Sequence, residues 1–158
     1  VDVNGTLDSI VIDVTANRAY YTVRDRATVG VLHTGTNAIV GEIQFDAEDV
    51  NAMRLSQDGT RLYENTPTSL VELDVTRNLV IRSIELAAAT SGLGITPDGL
   101  TAYVGALEPQ IFEPGLAVVD LTEWRLLGRV RGFVFPFDIR FRRTSFSTDE
   151  TEAALMLP

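Results

Sequence analysis

The feature that most constrains this chain is a turn that comes back. Leu55–Tyr63 reads LSQDGTRLY, a strand end, a tight turn over Gln57-Asp58-Gly59-Thr60, and the start of another strand. Asp-Gly suits such a turn, because Gly takes positive φ without steric cost and the Asp carboxylate bonds the backbone just ahead. Ile95–Tyr103 (ITPDGLTAY) repeats the unit, and Ile12–Tyr20 (IDVTANRAY) reads as an eroded copy. Tyr20, Tyr63 and Tyr103 follow one another at intervals of 43 and 40 residues. Strand-like units recurring every 40 or so residues predict the blades of a β-propeller.

The order of strands follows from that period. Asp8–Asp13, Arg18–Arg24, Thr28–Thr34 and Ala38–Phe45 make the first four-stranded unit. Val50–Ser56, Arg61–Glu64, Ser69–Val75 and Leu79–Leu86 make the second. The third runs Ser91–Thr96, Thr101–Gly105, Gly115–Leu121 and Arg125–Val130, with a longer loop, Ala106–Pro114, between its second and third strands. A fourth unit starts with Phe137–Arg143 and Glu152–Leu157 and goes no further. The units span about 8–46, 49–87, 90–131 and 136–158, in one domain over 1–158. Gly35-Thr36-Asn37 aligns with Thr76-Arg77-Asn78, and Trp124 takes the place of Asn37 and Asn78. No segment holds a 3.6-residue apolar period for three turns, so no helix is predicted. The fold class is all-β: a β-propeller segment of four-stranded antiparallel blades, with an incomplete ring in this chain. A β-sandwich would share the alternation but not the recurring turn chemistry.

These residues resemble the YVTN-type propeller repeats, whose units carry an Asp-Gly turn, a Tyr-Val strand and a V-x-V-I-D-x-x-T-N-like third strand and turn. The matches are Asp58-Gly59 with Leu62-Tyr63, Asp98-Gly99 with Ala102-Tyr103-Val104, and Leu73-Asp74-Val75-Thr76-Arg77-Asn78 with its copy Val118-Val119-Asp120-Leu121-Thr122. The departures are Thr15-Ala16 in place of Asp-Gly, and His33 where the family favours Asp. The resemblance implies a propeller fold over residues 8–143 and favours a periplasmic or extracellular location. It leaves function open, since propellers host binding platforms, surface proteins, lactonases and electron-transfer enzymes alike.

Composition narrows the chemistry. With 158 residues, 45% of them apolar and 22% charged, the chain is that of a folded globular protein. It has no cysteine, which excludes disulfides, thiolate metal sites and a Cys nucleophile. Net charge is −9 and all 13 basic residues are Arg, which disfavours a nucleic-acid partner. No apolar run is long enough to span a membrane. The opening VDVNGTLDS is read as carrying no signal peptide.

The candidate sites are few. His33, the only histidine, stands where the other units have Asp74 and Asp120, so all three read as turn residues. Asp25, Asp46, Glu48, Asp49 and Glu64 are expected on one face as a solvated acidic rim, because no D-x-D-x-D-G cation loop is present. Arg129, Arg131, Arg140, Arg142 and Arg143 form the one basic concentration, and Arg54 occupies the position equivalent to Arg140. The partner-binding candidates are aromatic and apolar: Ile111 and Phe112 in the long third-unit loop, with Phe133, Phe135 and Phe137 in the next connection. Loops are normally polar, so these either pack on each other or dock a partner. No catalytic or metal residue is assigned and no cofactor is expected. The expected function is a non-catalytic binding or protein–protein interaction scaffold. Its partner is the remaining blades or another protein. The alternative is a fragment or subunit of an enzyme, lactonase-like or a cofactor-dependent dehydrogenase.

Overall fold

A computed structural model describes residues 3, 5–23, 26, 28–44, 50–107 and 114–131. Among these residues twelve strands make three sheets. The first blade is β1 (Leu7–Asp13), β2 (Arg18–Val23), β3 (Thr28–His33) and β4 (Ala38–Gln44). The second is β5 (Ala52–Leu55), β6 (Arg61–Asn65), β7 (Ser69–Asp74) and β8 (Leu79–Glu85). The third is β9 (Ala89–Ile95), β10 (Thr101–Leu107), β11 (Pro114–Asp120) and β12 (Arg125–Arg131). Each sheet runs in chain order with antiparallel neighbours, and the described residues contain no helix. The fourth unit lies outside the described residues.

The blades stack face to face, with β1, β5 and β9 as neighbours along the inner side. Strand alternation then feeds two separate cores. Tyr20, Val29, Val31 and Ile43 of the first blade meet Met53, Leu62, Val71 and Leu73 of the second. Tyr63 and Leu70, on the second blade's other face, meet Leu93, Ala102, Val104 and Val119 of the third. The middle blade is thus covered on both sides, and β7 is buried at every position. Each fully buried leucine stabilises such a seam by about 1.5–3 kcal/mol.

The turns account for the strand order. Gly59 (φ 71°) and Gly99 (φ 73°) both take the left-handed conformation expected of the Asp-Gly hairpins. Asp58 accepts from the Thr60 N–H at 3.0 Å, and Asp98 from the Leu100 N–H at 2.9 Å. The turns between third and fourth strands use another device: Asn37, Asn78 and Trp124 all sit at φ 54°. Trp124 therefore does take the asparagine's backbone role. The first hairpin differs from expectation. Asp13-Val14-Thr15-Ala16-Asn17 is no eroded Asp-Gly turn, because Asn17 sits at φ 53° and Asp13 accepts from the Thr15 and Ala16 N–H groups at 2.9 and 3.0 Å. It is the turn of Asp74-Val75-Thr76-Arg77-Asn78, from which it differs by a single residue, moved to the front of the blade. Every third-to-fourth strand pair also carries a register shift at the same place, at Val31/Leu32, Glu72/Leu73 and Val118/Val119. That recurring bulge strengthens the twist of each outer strand.

Candidate functional site

The least expected side chain in the molecule is Glu64. It lies on β6 two residues beyond Leu62, so alternation turns it toward the first blade and not toward solvent. Its cross-strand neighbours are Met53 and Val71, both members of the first core. Glu64 is 0% exposed, and neither carboxylate oxygen has a hydrogen-bond partner among the described residues. Removal from water disfavours the charged form, and burial pushes its pKa up to about 8. At neutral pH the group is therefore mainly an uncharged acid. The expectation of a solvated rim residue is overturned: the strand carries Glu64 into the seam between blades. Forty residues on, the equivalent position is Val104, fully buried in the second core. That comparison was available in the sequence and is the signal that marks Glu64 as unusual.

Thr22 faces the same seam from the first blade, two residues beyond Tyr20 and paired across the sheet with Ser9 and Val29. It is 2% exposed, and its hydroxyl too lacks a partner among the described residues. Among the described residues, the seam between first and second blades therefore holds two buried polar groups without hydrogen bonds, a costly arrangement.

The seam between second and third blades also holds buried polar atoms without a partner among the described residues, Asn65 Oδ1 and Trp124 Nε1, but it is cross-linked. Asn51 donates to the Thr90 carbonyl at 3.0 Å; Asn65 donates to Thr90 Oγ1 at 3.2 Å and to the Ser91 carbonyl. Thr90 Oγ1 in turn donates to the Thr66 carbonyl. On the outer side Arg82 lies 4.5 Å from the Trp124 ring centre, donates to the Leu121 carbonyl at 2.9 Å, and pairs with the buried Glu72. Arg129 donates to the Leu86 carbonyl. By repeat position, Val50 and Thr22 stand in the first seam where Thr90 and Asn65 stand in the second. The cross-links of the second seam have no counterpart at those positions.

The outer face of the first blade carries a further pattern. Ile12, Ala19, Leu32 and Ile39 form one row across its four strands. The same row in the second blade is Leu55, Leu62, Leu73 and Val80, whose centre packs on the first blade. In the third it is Ile95, Ala102, Val119 and Leu126, whose centre packs on the second. In the first blade the centre of the row is buried at Ala19 (3% exposed) and half-buried at Leu32, while its ends stand open, Ile12 at 57% and Ile39 at 44% exposed.

The sequence-based candidates fall into two groups. Ile111, Phe112, Phe133, Phe135 and Phe137 lie outside the described residues, as do Asp25, Asp46, Glu48, Asp49, Arg140, Arg142 and Arg143. Those within it are structural. His33 Nδ1 accepts from the Gly35 and Thr36 N–H groups, both at 3.2 Å, doing for its turn what Asp74 and Asp120 do for theirs. Arg54 donates to the Met53 carbonyl at 2.9 Å. Asp58, Asp74, Asp98 and Asp120 are all held below the usual carboxylate range. The main causes are bonds from the Ser56, Thr76 and Thr96 hydroxyls to the first three and from the Glu123 N–H to Asp120.

Three blades in sequence order, stacked with their first strands adjacent, decide the architecture. The fold is of the β-propeller type. Comparison with solved structures agrees. Kuenenia stuttgartiensis hydrazine synthase superposes over 88% of this chain and 40% of its own, with a TM-score of 0.75 and 20% identity. The WD40 repeats of RRP9 superpose over 89% of this chain and 43% of their own, again at 0.75, with 11% identity. Identities this low speak for fold alone. This chain spans about two-fifths of the length of either structure. No protein-family model matches the sequence, and no curated protein matches it.

Proposed function

We propose that this chain is an arc of a larger β-propeller of YVTN-type repeats that works as a binding scaffold, with further blades or a partner protein covering the first blade. One observation carries the reading. The row Ile12, Ala19, Leu32 and Ile39 is the surface that the second and third blades each use against the blade before them, and here its ends Ile12 and Ile39 stand exposed. A blade buries its apolar faces only against neighbours, so this row calls for another blade-like sheet. The chain's span of 40% and 43% of two propeller structures fits the same reading. The scaffold role is supported by what the described acid–base groups do. His33, Asp13, Asp74 and Asp120 hold turn N–H groups, and Glu64 is sealed between blades. Loops that join the blades are then the natural place for a ligand, on a rigid frame.

Sedimentation of the purified protein at micromolar concentration tests this, with every chain in the particle counted by native mass. A particle carrying more than this chain's blades is expected. A stable lone monomer of 158 residues with Ile12 and Ile39 still exposed would overturn it.

A further inference from the structure

The two seams of this arc differ in one respect that matters for motion. The second is cross-linked by Asn51, Asn65 and Thr90 at one end and by Arg82 over Trp124 on the outer side. Among the described residues the core of the first is apolar, and sealed inside it is Glu64, an acid at a position that the next repeat fills with Val104. An apolar seam tolerates that acid only while it is protonated, because a bare carboxylate without a hydrogen bond is far more costly to bury than a neutral carboxyl.

We infer that the seam between the first and second blades is a proton-operated joint, closed while Glu64 holds its proton and opened when that proton is lost. Among the described residues, the groups facing Glu64 offer it no counter-ion. Met53 and Leu55 on β5 and Val71 and Leu73 on β7 are apolar. On the second blade's outer strand, Glu85 is an exposed acid at the rim. From the first blade come Ser9 and Val11 on β1, with Asp8 at the bulge beside them. Tyr20 and Thr22 come from β2, Val29 and Val31 from β3, and Ile43 from β4. Asp13, Arg18 and His33 belong to the far, turn end of that blade, where Asp13 and His33 hold turn N–H groups. Among the described residues none of these bonds to either Glu64 oxygen.

The sign follows from linkage. Glu64 has an ordinary value of 4.5 when exposed and a value of about 8 when sealed in the seam. Between these two values the closed seam binds the proton more tightly than the open one. Each unit of rising pH therefore favours opening about tenfold, so pH 5 to pH 7 gives about a hundredfold. The effect is confined to the first seam: among the described residues the buried acid of the second, Glu72, is paired with Arg82 and Arg61. Opening detaches the first blade and uncovers Tyr20, Val31, Met53 and Leu73.

Hydrogen exchange followed by mass spectrometry on the full chain, at pH 5, 6 and 7 and corrected for intrinsic exchange rates, reads each blade separately. The expected result is that β2 and β3 lose about a hundredfold of protection from pH 5 to 7 while β10 and β11 hold theirs. Glu64→Gln and Glu64→Leu are both expected to remove that pH dependence, the first keeping the shape and the second the apolarity of the site. Arg82→Ala serves as contrast and is expected to loosen β10 and β11 equally at each pH. Protection lost uniformly in all three blades, or the same pH dependence persisting in either Glu64 variant that folds, would overturn the joint. If both variants fail to fold, the wild-type pattern alone decides, since only a first-seam joint separates β2 and β3 from β10 and β11.

Discussion

Gly59 and Gly99 occupy the same turn in successive blades, at φ 71° and 73°, yet replacing each with alanine should have different consequences. The left-handed conformation costs an L-residue about 1 kcal/mol over glycine, and both positions bear that cost. At Gly99 nothing lies within 4 Å of the added methyl, so Gly99→Ala is expected to destabilise by about 1 kcal/mol. At Gly59 the added Cβ would lie 2.9 Å from Asp13 Oδ2, closer than real contacts of this kind come. Asp13 cannot simply swing away. Its Oδ1 accepts from the Thr15 and Ala16 N–H groups, which close the first hairpin. Moving it sacrifices one or both bonds, each worth about 1 kcal/mol, so Gly59→Ala should cost about 2–3 kcal/mol. Urea unfolding of both variants at constant m value measures the difference. In an Asp13→Ala background the extra cost should vanish, leaving the two glycines equal. Equal costs in the parent chain would refute the packing of the first blade's turn against the second blade's.

Three other outcomes follow from the same structure. Asp58, Asp74, Asp98 and Asp120 are held below their ordinary value of 3.8, so their stabilisation is complete above it and is lost as pH falls through the lowered values. Glu64 has the opposite sign, and its cost grows as pH rises from 4.5 to about 8. Thermal unfolding across pH should therefore place maximum stability at about pH 4–5, and a maximum above pH 7 would contradict it. His33→Asp should stabilise by about 0.5–1 kcal/mol, because a charged acceptor replaces an imidazole nitrogen on the same two N–H groups. A measured loss of stability there would show that His33 does more than close its turn. Arg82→Ala should cost about 1–3 kcal/mol in equilibrium unfolding, through the Trp124 contact, the Leu121 carbonyl and the Glu72 pair, and a neutral result would remove the outer cross-link from the account.

The repeat made most of the fold legible in advance. Asp-Gly at Gly59 and Gly99, and the alignment of Trp124 with Asn37 and Asn78, are local backbone demands that show directly in residue type. The first hairpin differs from expectation because its place between first and second strands suggests Asp-Gly while its residues, Asp13 to Asn17, spell the other turn. Glu64 departs from expectation for a different reason. A charged residue at a strand end reads as solvated unless the stacking of blades is known, and stacking is a long-range fact. Only the register against Val104 hints at it. The bulges at Val31, Glu72 and Val118 show only in part, since Gly41 and Gly128 stand opposite two of them but Arg82 stands opposite the third, and pairing settles the bulge.

The central claim is that the outer face of the first blade is a blade-to-blade surface. The chain has no cysteine, so Ile12→Cys and Leu100→Cys each introduce a single thiol, the first on that face and the second in an exposed turn. Thiol-labelling rates in the native assembly, against the isolated 158-residue chain kept dilute, measure cover directly. The account predicts that Ile12→Cys labels at least about tenfold more slowly in the assembly while Leu100→Cys is unchanged, as burial of a contact worth more than 1.4 kcal/mol requires. Equal labelling of Ile12→Cys in both would contradict it.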